Sequence, residues 1–255
     1  MLSDLTTGFI GRLRSRDPAA WFELWETFGP ILRGQLGKWG GGRLGAETIQ
    51  DLSQETLAAL SDAIDRHDPE NGARFSTWLL AIAKHTFCGE LDRRNAQKRG
   101  SGIRPGELFE DAATDGEGSS PAAQYEQAVF HAKVEAALRL VERESDFVEF
   151  SVFRMRVLEG RAGRDVGDAL GISEPTVTRR LQRVRDRLRE RLTEVITRYS
   201  FTDDEAQEAA RNGLTGNPNK ADDALFDEAV AEIYHRQQDL RAQAGWTRDG
   251  RSAAQ

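Results

Sequence analysis

The sequence has one cysteine, Cys88, so no internal disulfide can form and a fold stapled by cystine bridges is excluded. It has no apolar run near the roughly 20 residues that a membrane helix needs. The first residues, MLSDLTTGFIGRLRSRD, are charged on both sides and lack the apolar centre of a signal peptide. These absences predict a soluble, cytoplasmic chain with no membrane insertion. Alternating strand-like runs are also missing. Hydrophobic residues make up 38% of the 255 and charged residues 30%, which suits small helical cores better than one large α/β core. Nor is there an excess of positive charge. The net charge of −7 rules out wrapping nucleic acid by bulk electrostatics, so any DNA contact must use a local basic patch.

The usual patterns of catalytic and cofactor sites are missing too. GKWGGG does not have the form of a phosphate loop. The acids Asp51, Glu55, Asp62 and Asp65 come without the Glu-x-x-His pairing of a two-metal site. His85 and Cys88 are two candidate zinc ligands with no second pair. No Ser-His-Asp or Cys-His arrangement is readable from the spacing. The expectation is a non-enzyme with no catalytic residue, no metal and no cofactor.

What is present is helical periodicity. From Leu5 to about Arg94, apolar residues recur at helical spacing (Phe9, Leu13, Trp21, Leu24, Phe28, Leu32), punctuated by Gly29, Gly34 and Gly40 to Gly42. From Asn95 to about Ser120 the composition turns to Gly, Ser, Pro and acids, as expected of a flexible linker. Periodicity returns from Pro121 to Tyr199. After Ser200 the chain is acidic, then offers one more stripe, Leu225, Phe226, Ala229, Val230 and Ile233, with Tyr234 and Trp246 nearby. The fold class is all-α: two small helical domains over 1–95 and 125–199, a linker over 96–124, and a helical extension over 200–255. The extension is expected either to pack on its own neighbouring domain or to regulate, by masking arginines or docking a partner.

The clearest motif is VGDALGISEPTVTRRLQRVRDRL, residues 166–188. A short helix holds Val166 and Leu170, Gly171 permits a tight turn, and Ser173 is placed as an N-cap with Thr176 three residues on. Val177, Leu181, Val184 and Leu188 share one face of a second helix. This is a helix-turn-helix. Its other face carries Thr178, Arg179, Gln182, Arg183 and Arg185, residue types that read guanine, adenine, thymine methyl or phosphate.

The first domain contains TIQDLSQETL, residues 48–57. Helical phase turns Ile49, Leu52, Leu57, Leu60 and Ile64 inward and leaves Thr48, Asp51, Gln54, Glu55 and Asp62 outside. An acid–amide–acid face of this kind suits a basic helical partner. After a loop, DPENGAR at 68–74, comes RFSTWLLAIAKHTFCGELDRR, a helix with Phe75, Leu79, Ile82, Ala83 and Leu91 on its apolar face.

TIQDLSQE, then FSTWLLAIAKHTFCGELDRR, then the helix-turn-helix, in that order, resemble the sigma factors of bacterial RNA polymerase, in the small extracytoplasmic-function group (group IV). The resemblance covers roughly residues 5–95, as region two, and 125–197, as region four. It implies core RNA polymerase as partner, through the β′ clamp helices and the β flap, and promoter DNA as the other. Asp51, Gln54 and Glu55 would meet the clamp helices. Asn71, Arg74, Lys84, His85, Arg93 and Arg94 would capture the melted minus-ten element. Ser173, Thr176, Thr178, Arg179, Gln182 and Arg183 would read the minus-thirty-five element. The alternative is a helix-turn-helix regulator that works without polymerase docking.

The chain departs from the family pattern where D-A-E-D becomes T-I-Q-D. Two negative charges are missing from the docking face. Thr48 is either a plain N-cap, with Asp51 completing a capping box, or a phosphorylation switch that restores the charge. The resemblance admits control by a Ser/Thr protein kinase or by an anti-sigma factor.

Overall fold

The computed structural model describes residues 3–67, 73–100, 120–212, 214 and 220–243. Among them there is no strand, and the fold is all-α. The helices are α1 (Asp4–Arg14), α2 (Pro18–Gly40), α3 (Ala46–Ala63), α4 (Phe75–Gly100), α5 (Pro121–Glu144), α6 (Phe147–Phe153), α7 (Gly163–Leu170), α8 (Glu174–Arg198), α9 (Asp203–Ala206), α10 (Glu208–Arg211) and α11 (Lys220–Gln243), with a π-helical turn at Arg154–Leu158. The chain divides into two compact units. The first is Met1–Ala132 with Arg198–Thr202, and the second is Lys133–Thr197 with Asp203–Gln255. The division falls inside α5, and α4 continues through Gly100, beyond the expected start of the linker at Asn95.

In the first unit, the Ser3 hydroxyl caps α1 by accepting from the Thr6 amide at 3.1 Å. Asp17 caps α2 by accepting from Ala19 at 2.9 Å, with Pro18 just inside the helix. α2 then runs unbroken to Gly40, through Gly29, Pro30 and Gly34. This corrects the expected punctuation at Gly29 and Gly34. A Cβ on Gly29 would lie 2.9 Å from the Trp25 indole, so this glycine makes room for a ring. Pro30 forfeits one backbone bond, while Leu24, Phe28, Leu32 and Leu36, all fully buried, hold the helix to the core. The stop comes at Gly41, whose φ of 54° is left-handed.

The centre of the first unit is aromatic. The Tyr199 ring, fully buried, lies 5.1 Å from Phe9, 4.8 Å from Phe28 and 5.4 Å from Phe75. Phe201 lies 5.2 Å from Phe75 and 4.9 Å from His67, which stacks on Trp78 at 4.4 Å. Phe201 therefore belongs to this core and not to the acidic extension expected from residue 200 on.

In the second unit, α7 ends at Gly171 with φ 65°, in the left-handed region. A Cβ on Gly167 would come within 2.7 Å of the Ile172 carbonyl, so the tight turn needs that glycine too. Val177, Leu181, Val184 and Leu188 are all buried, as their spacing requires. On α11, Phe226, Val230 and Ile233 are buried, and the helix packs on the π-helical turn. Leu225 departs from the expected stripe and is 61% exposed. Trp246 lies outside the described residues. Lys133 is fully buried, with its ammonium 3.2 Å from Glu208. That pairing is what makes a buried lysine tolerable.

Candidate polymerase-docking and nucleic-acid interfaces

The candidate docking face lies on α3. Leu52 buries against Leu36 of α2 and Phe87 of α4, with Trp39, Ile49 and Leu91 partly buried around them. Ser53 and Thr56 also face inward, and each hydroxyl donates to its own helix, to Gln50 O at 2.6 Å and Leu52 O at 2.7 Å. Polar residues can thus sit at core positions without orphaned groups. Asp51, Gln54 and Glu55 are exposed on the opposite side. They sit three and four residues apart, which is one turn. Among the described residues, none of the three side chains makes a hydrogen bond or ion pair.

α1 fixes the far end of α3. Arg14 donates to Ile64 O at 3.1 Å and His67 O at 2.7 Å, occupying carbonyls that α3 leaves open. Arg16, in the left-handed region at φ 61°, forks onto Asp65 at 3.2 and 2.7 Å. That guanidinium holds the Asp65 carboxyl below its ordinary range.

Thr48 is not an N-cap. α3 begins at Ala46, Gly45 occupies the cap position, and no side chain caps the helix. Thr48 is the third helical residue, so the capping box with Asp51 does not form. The Thr48 hydroxyl instead accepts from Arg94 of α4 at 3.0 Å. Arg94 also donates to Glu90 at 2.6 Å, and Arg93 pairs with the same carboxylate. Glu90 is buried. Burial pushes its carboxyl up, but Arg94 and Arg93 outweigh that and hold it below the usual carboxylate range.

The other minus-ten candidates differ in setting. Lys84 and His85 are exposed on α4. Arg74 lies 3.2 Å from Glu126 of α5. Asn71 lies outside the described residues. Of the described members, Arg74 precedes α4, and the four on α4 fall in two groups, Lys84 with His85 and Arg93 with Arg94, the latter pair tied to Glu90.

In the helix-turn-helix, the Ser173 carbonyl accepts from the Thr176 and Val177 amides at 2.8 and 3.0 Å, and the Ser173 and Thr176 hydroxyls pair at 2.9 Å. Ser173, Thr178, Arg179 and Arg183 are exposed, while Thr176 and Gln182 are half-buried. Gln182 donates to Asp186 at 2.9 Å. Arg183 pairs with Glu149 at 3.1 Å yet keeps 66% of its side chain exposed.

The arginines of α8 are mostly held by acids of the chain itself. Arg180 pairs with Asp146, Arg187 with Glu149, and Arg191 with Glu144 and Glu194. Arg185 is gripped by Asp223 and Asp227 of α11, and Arg189 by Asp223 at 2.6 Å. The Arg189 guanidinium also sits 4.5 Å over the Phe226 ring. Arg198, in the first unit, pairs with Glu23. Among the described residues, Arg179 is the arginine of α8 without a carboxylate partner; it donates to the Thr176 hydroxyl at 3.4 Å. α11 thus engages the middle of α8 and leaves its first turns open.

Sequence reasoning missed Glu90, Glu126 and Glu149, the carboxylates that hold the candidate arginines. Glu90 had a local signal, three and four residues before Arg93 and Arg94. The other two meet their arginines only through the tertiary fold.

Residues 24–97 match the family model for Sigma-70 region 2. The match spans α3, most of α2 and nearly all of α4, so Asp51, Gln54, Glu55 and the α4 cations lie within it. It supports a sigma-factor family, one that binds RNA polymerase for promoter-specific initiation and is not a family of enzymes. No curated protein matches the chain. No helix among the described residues is long and apolar enough to cross a membrane.

Proposed function

We propose that the chain is an alternative sigma factor of the extracytoplasmic-function type, with a C-terminal helical extension. It would bind core RNA polymerase and direct initiation at its own promoters. The observation that carries this reading is the region 2 match over residues 24–97, combined with a helix-turn-helix later in the same chain.

Asp51, Gln54 and Glu55 form the polymerase-docking surface, because they are exposed and unpaired and so can meet a basic helix without first breaking internal bonds. Lys84, His85, Arg93, Arg94, Arg74 and Asn71 serve the melted minus-ten element, where cations near a loop suit single-stranded DNA. Ser173, Thr176, Thr178, Arg179, Gln182 and Arg183 read the minus-thirty-five duplex from the first turns of α8, the part of a recognition helix that reaches base edges. The net charge of −7 keeps free DNA binding weak, and polymerase adds affinity by linking the two modules.

Thr48 is the proposed control point. A phosphate there would return negative charge to the first turn of α3, where it is stabilising. Arg94 is already within hydrogen-bonding distance of the hydroxyl. A Ser/Thr kinase is the implied partner, with an anti-sigma factor as the competing form of control. The setting is the cytoplasm.

The test is titration of the purified chain, its Thr48→Glu variant and a Thr48-phosphorylated sample with core polymerase, followed by run-off transcription on genomic DNA. Phosphorylation is expected to tighten binding and raise promoter-specific transcripts. Equal affinity for all forms would leave Thr48 a packing residue. A chain that binds promoter duplex as tightly without polymerase as with it would be a helix-turn-helix regulator instead.

A further inference from the structure

Within the first unit, the start of α3 and the later turns of α4 meet at a polar contact. Thr48 Oγ1 accepts from Arg94 Nη2 at 3.0 Å. The other edge of the same guanidinium points inward, where Nε donates to Glu90 at 2.6 Å. Only 5% of the Glu90 side chain is exposed, and its second oxygen faces Arg93. Arg94 is thus pinned by its inner edge, with its outer edge turned to Thr48. It keeps 36% of its side chain exposed, so a solvated group can reach it.

We propose that Arg94, anchored by Glu90, is the internal receiver of a phosphate on Thr48, so that the modification ties α3 to α4. This assignment rests on the proposed control at Thr48 and names what the phosphate meets. A kinase would pass the γ-phosphoryl group of a nucleoside triphosphate to Thr48 Oγ1. The new P–O bond replaces the bond to the departing nucleoside diphosphate, and the hydroxyl proton is lost. That proton is not committed to Arg94, because in this contact the hydroxyl is the acceptor.

Geometry supports the receiver first. A guanidinium is a planar fork with donors on two edges. Nε can stay on Glu90 while both terminal nitrogens hold phosphate oxygens. The arginine is also ordered before the phosphate arrives, so little freedom is lost when the pair forms.

Charge balance supports it next. Asp51 lies three residues beyond Thr48, on the same side of α3, and a phosphate there would face a like charge. Arg94 is the cation already in place to offset that repulsion. If it leans outward, Arg93 still faces Glu90, so the buried carboxylate is not left without a cation. The phosphate, Arg94 and Glu90 would then form a bridge from the first turn of α3 into α4, one turn before Asp51. In that state Arg94 serves the docking helix, and the minus-ten element is left to the other cations, among them Lys84, His85 and Arg93.

The experiment places phosphothreonine at position 48 of the full chain and follows it by phosphorus NMR against pH. In the chain unfolded in urea the second ionisation should fall near its usual value of about 6. In the folded chain it should lie about one pH unit lower, because Arg94 favours the dianion. Arg94→Gln should return it to the unfolded value, and Arg94→Lys, which keeps a charge without the fork, should fall between. Phosphorylation should also raise the folding equilibrium constant about tenfold more in wild type than in Arg94→Gln. A phosphate that titrates alike in the folded chain, the unfolded chain and Arg94→Gln overturns the receiver. So does an equal stability change in wild type and Arg94→Gln. Should Arg94→Gln fold poorly, Arg94→Lys and the wild-type difference between folded and unfolded chain still decide. Titrating the same samples with core polymerase separates the readings. An Arg94-dependent phosphate that leaves polymerase affinity unchanged retires Thr48 as the control point and keeps the receiver. A phosphate indifferent to Arg94 that still tightens polymerase binding meets the polymerase directly, and the receiver is wrong.

Discussion

The outer face of α3 and the basic face of α8 are both densely charged, yet they use charge in opposite ways. On α3, Asp51, Gln54 and Glu55 stand exposed, with no side-chain partner among the described residues. On α8, all the arginines but Arg179 are met by the chain's own carboxylates. The difference separates charge that is available to another molecule from charge already spent on holding the fold together. A count of basic residues would have ranked α8 as a long nucleic-acid stripe. The pairing leaves Arg179 near its start without an acid partner among the described residues, while the rest of the arginine run ties α8 to α5, α6 and α11.

Substitutions that treat the two faces alike should therefore give different results. The largest effect is expected from Arg185→Ala. It leaves Asp227, 20% exposed, without its cation, while Asp223 keeps only Arg189. Denaturant unfolding should show a loss of about 2–3 kcal/mol, below the cost of a fully buried broken pair because some water reaches the site. DNA affinity of the folded protein should change little. If Arg185→Ala instead leaves stability intact and weakens promoter binding, the division between open and closed charge is wrong for this residue.

On α3 the expectation is reversed. Asp51→Arg with Glu55→Arg should lower core-polymerase affinity by ten- to a hundredfold, about 1.4–2.7 kcal/mol by the usual conversion. The melting temperature should barely move, because exposed substitutions away from packing usually cost under about 0.5 kcal/mol. Isothermal titration and a thermal melt on the same sample check both halves. A large fall in melting temperature would mean that these acids support the fold.

Arg179→Ala is a finer test, since it isolates the one α8 arginine that no acid holds. Duplex affinity in the polymerase complex should drop by about 1–2 kcal/mol with stability unchanged. Arg180→Ala, one residue on, removes an arginine that faces Asp146 at 3.4 Å and should affect DNA binding less. Equal effects from the two neighbours would show that pairing with an internal acid does not take an arginine out of DNA recognition.

Much of this architecture was readable from periodicity, and the failures have physical causes. Val177, Leu181, Val184 and Leu188 were placed correctly because one helix face decides their burial. Gly29 and Gly34 misled because glycine usually interrupts helices, whereas here Gly29 accommodates Trp25 and the surrounding leucines hold the helix together. Thr48 looked like a cap because caps are recognised by residue type, and the true start at Ala46 uses a glycine with no side-chain signal. Tyr199 and Phe201 were read as the end of one domain and the start of an extension. Their burial depends on Phe9, Phe28 and Phe75, some 120 to 190 residues away, and a one-dimensional pattern cannot show such contacts. Glu126 and Glu149 were passed over for the same reason, since each meets its arginine across the fold.

Glu90 offers the smallest effect and the most specific one, because it lies between the two modes of charge. It is buried like Glu149, which meets Arg183 and Arg187 of α8, yet it organises Arg94, which reaches the half-exposed Thr48. Its carboxyl titrates below the ordinary range in the folded protein, and the arginines are the cause. A depressed folded value means that the stabilisation is fully present above the unfolded carboxylate value. It is lost as pH falls below about 4.5 and through the lower folded value. Glu90→Gln should therefore be less stable than wild type at neutral pH, by on the order of 1 kcal/mol for the weakened charge-assisted bonds. The two proteins should converge as the solution is acidified. Unfolding curves collected from neutral pH down to about pH 3 would show the gap closing, and the acid response of the other carboxylates cancels in the difference. A gap that stays constant with pH would mean that the carboxylate's charge is irrelevant and that only its shape matters. Arg94 would then be held by packing, leaving it free to turn from Glu90 toward a phosphate on Thr48 at little electrostatic cost.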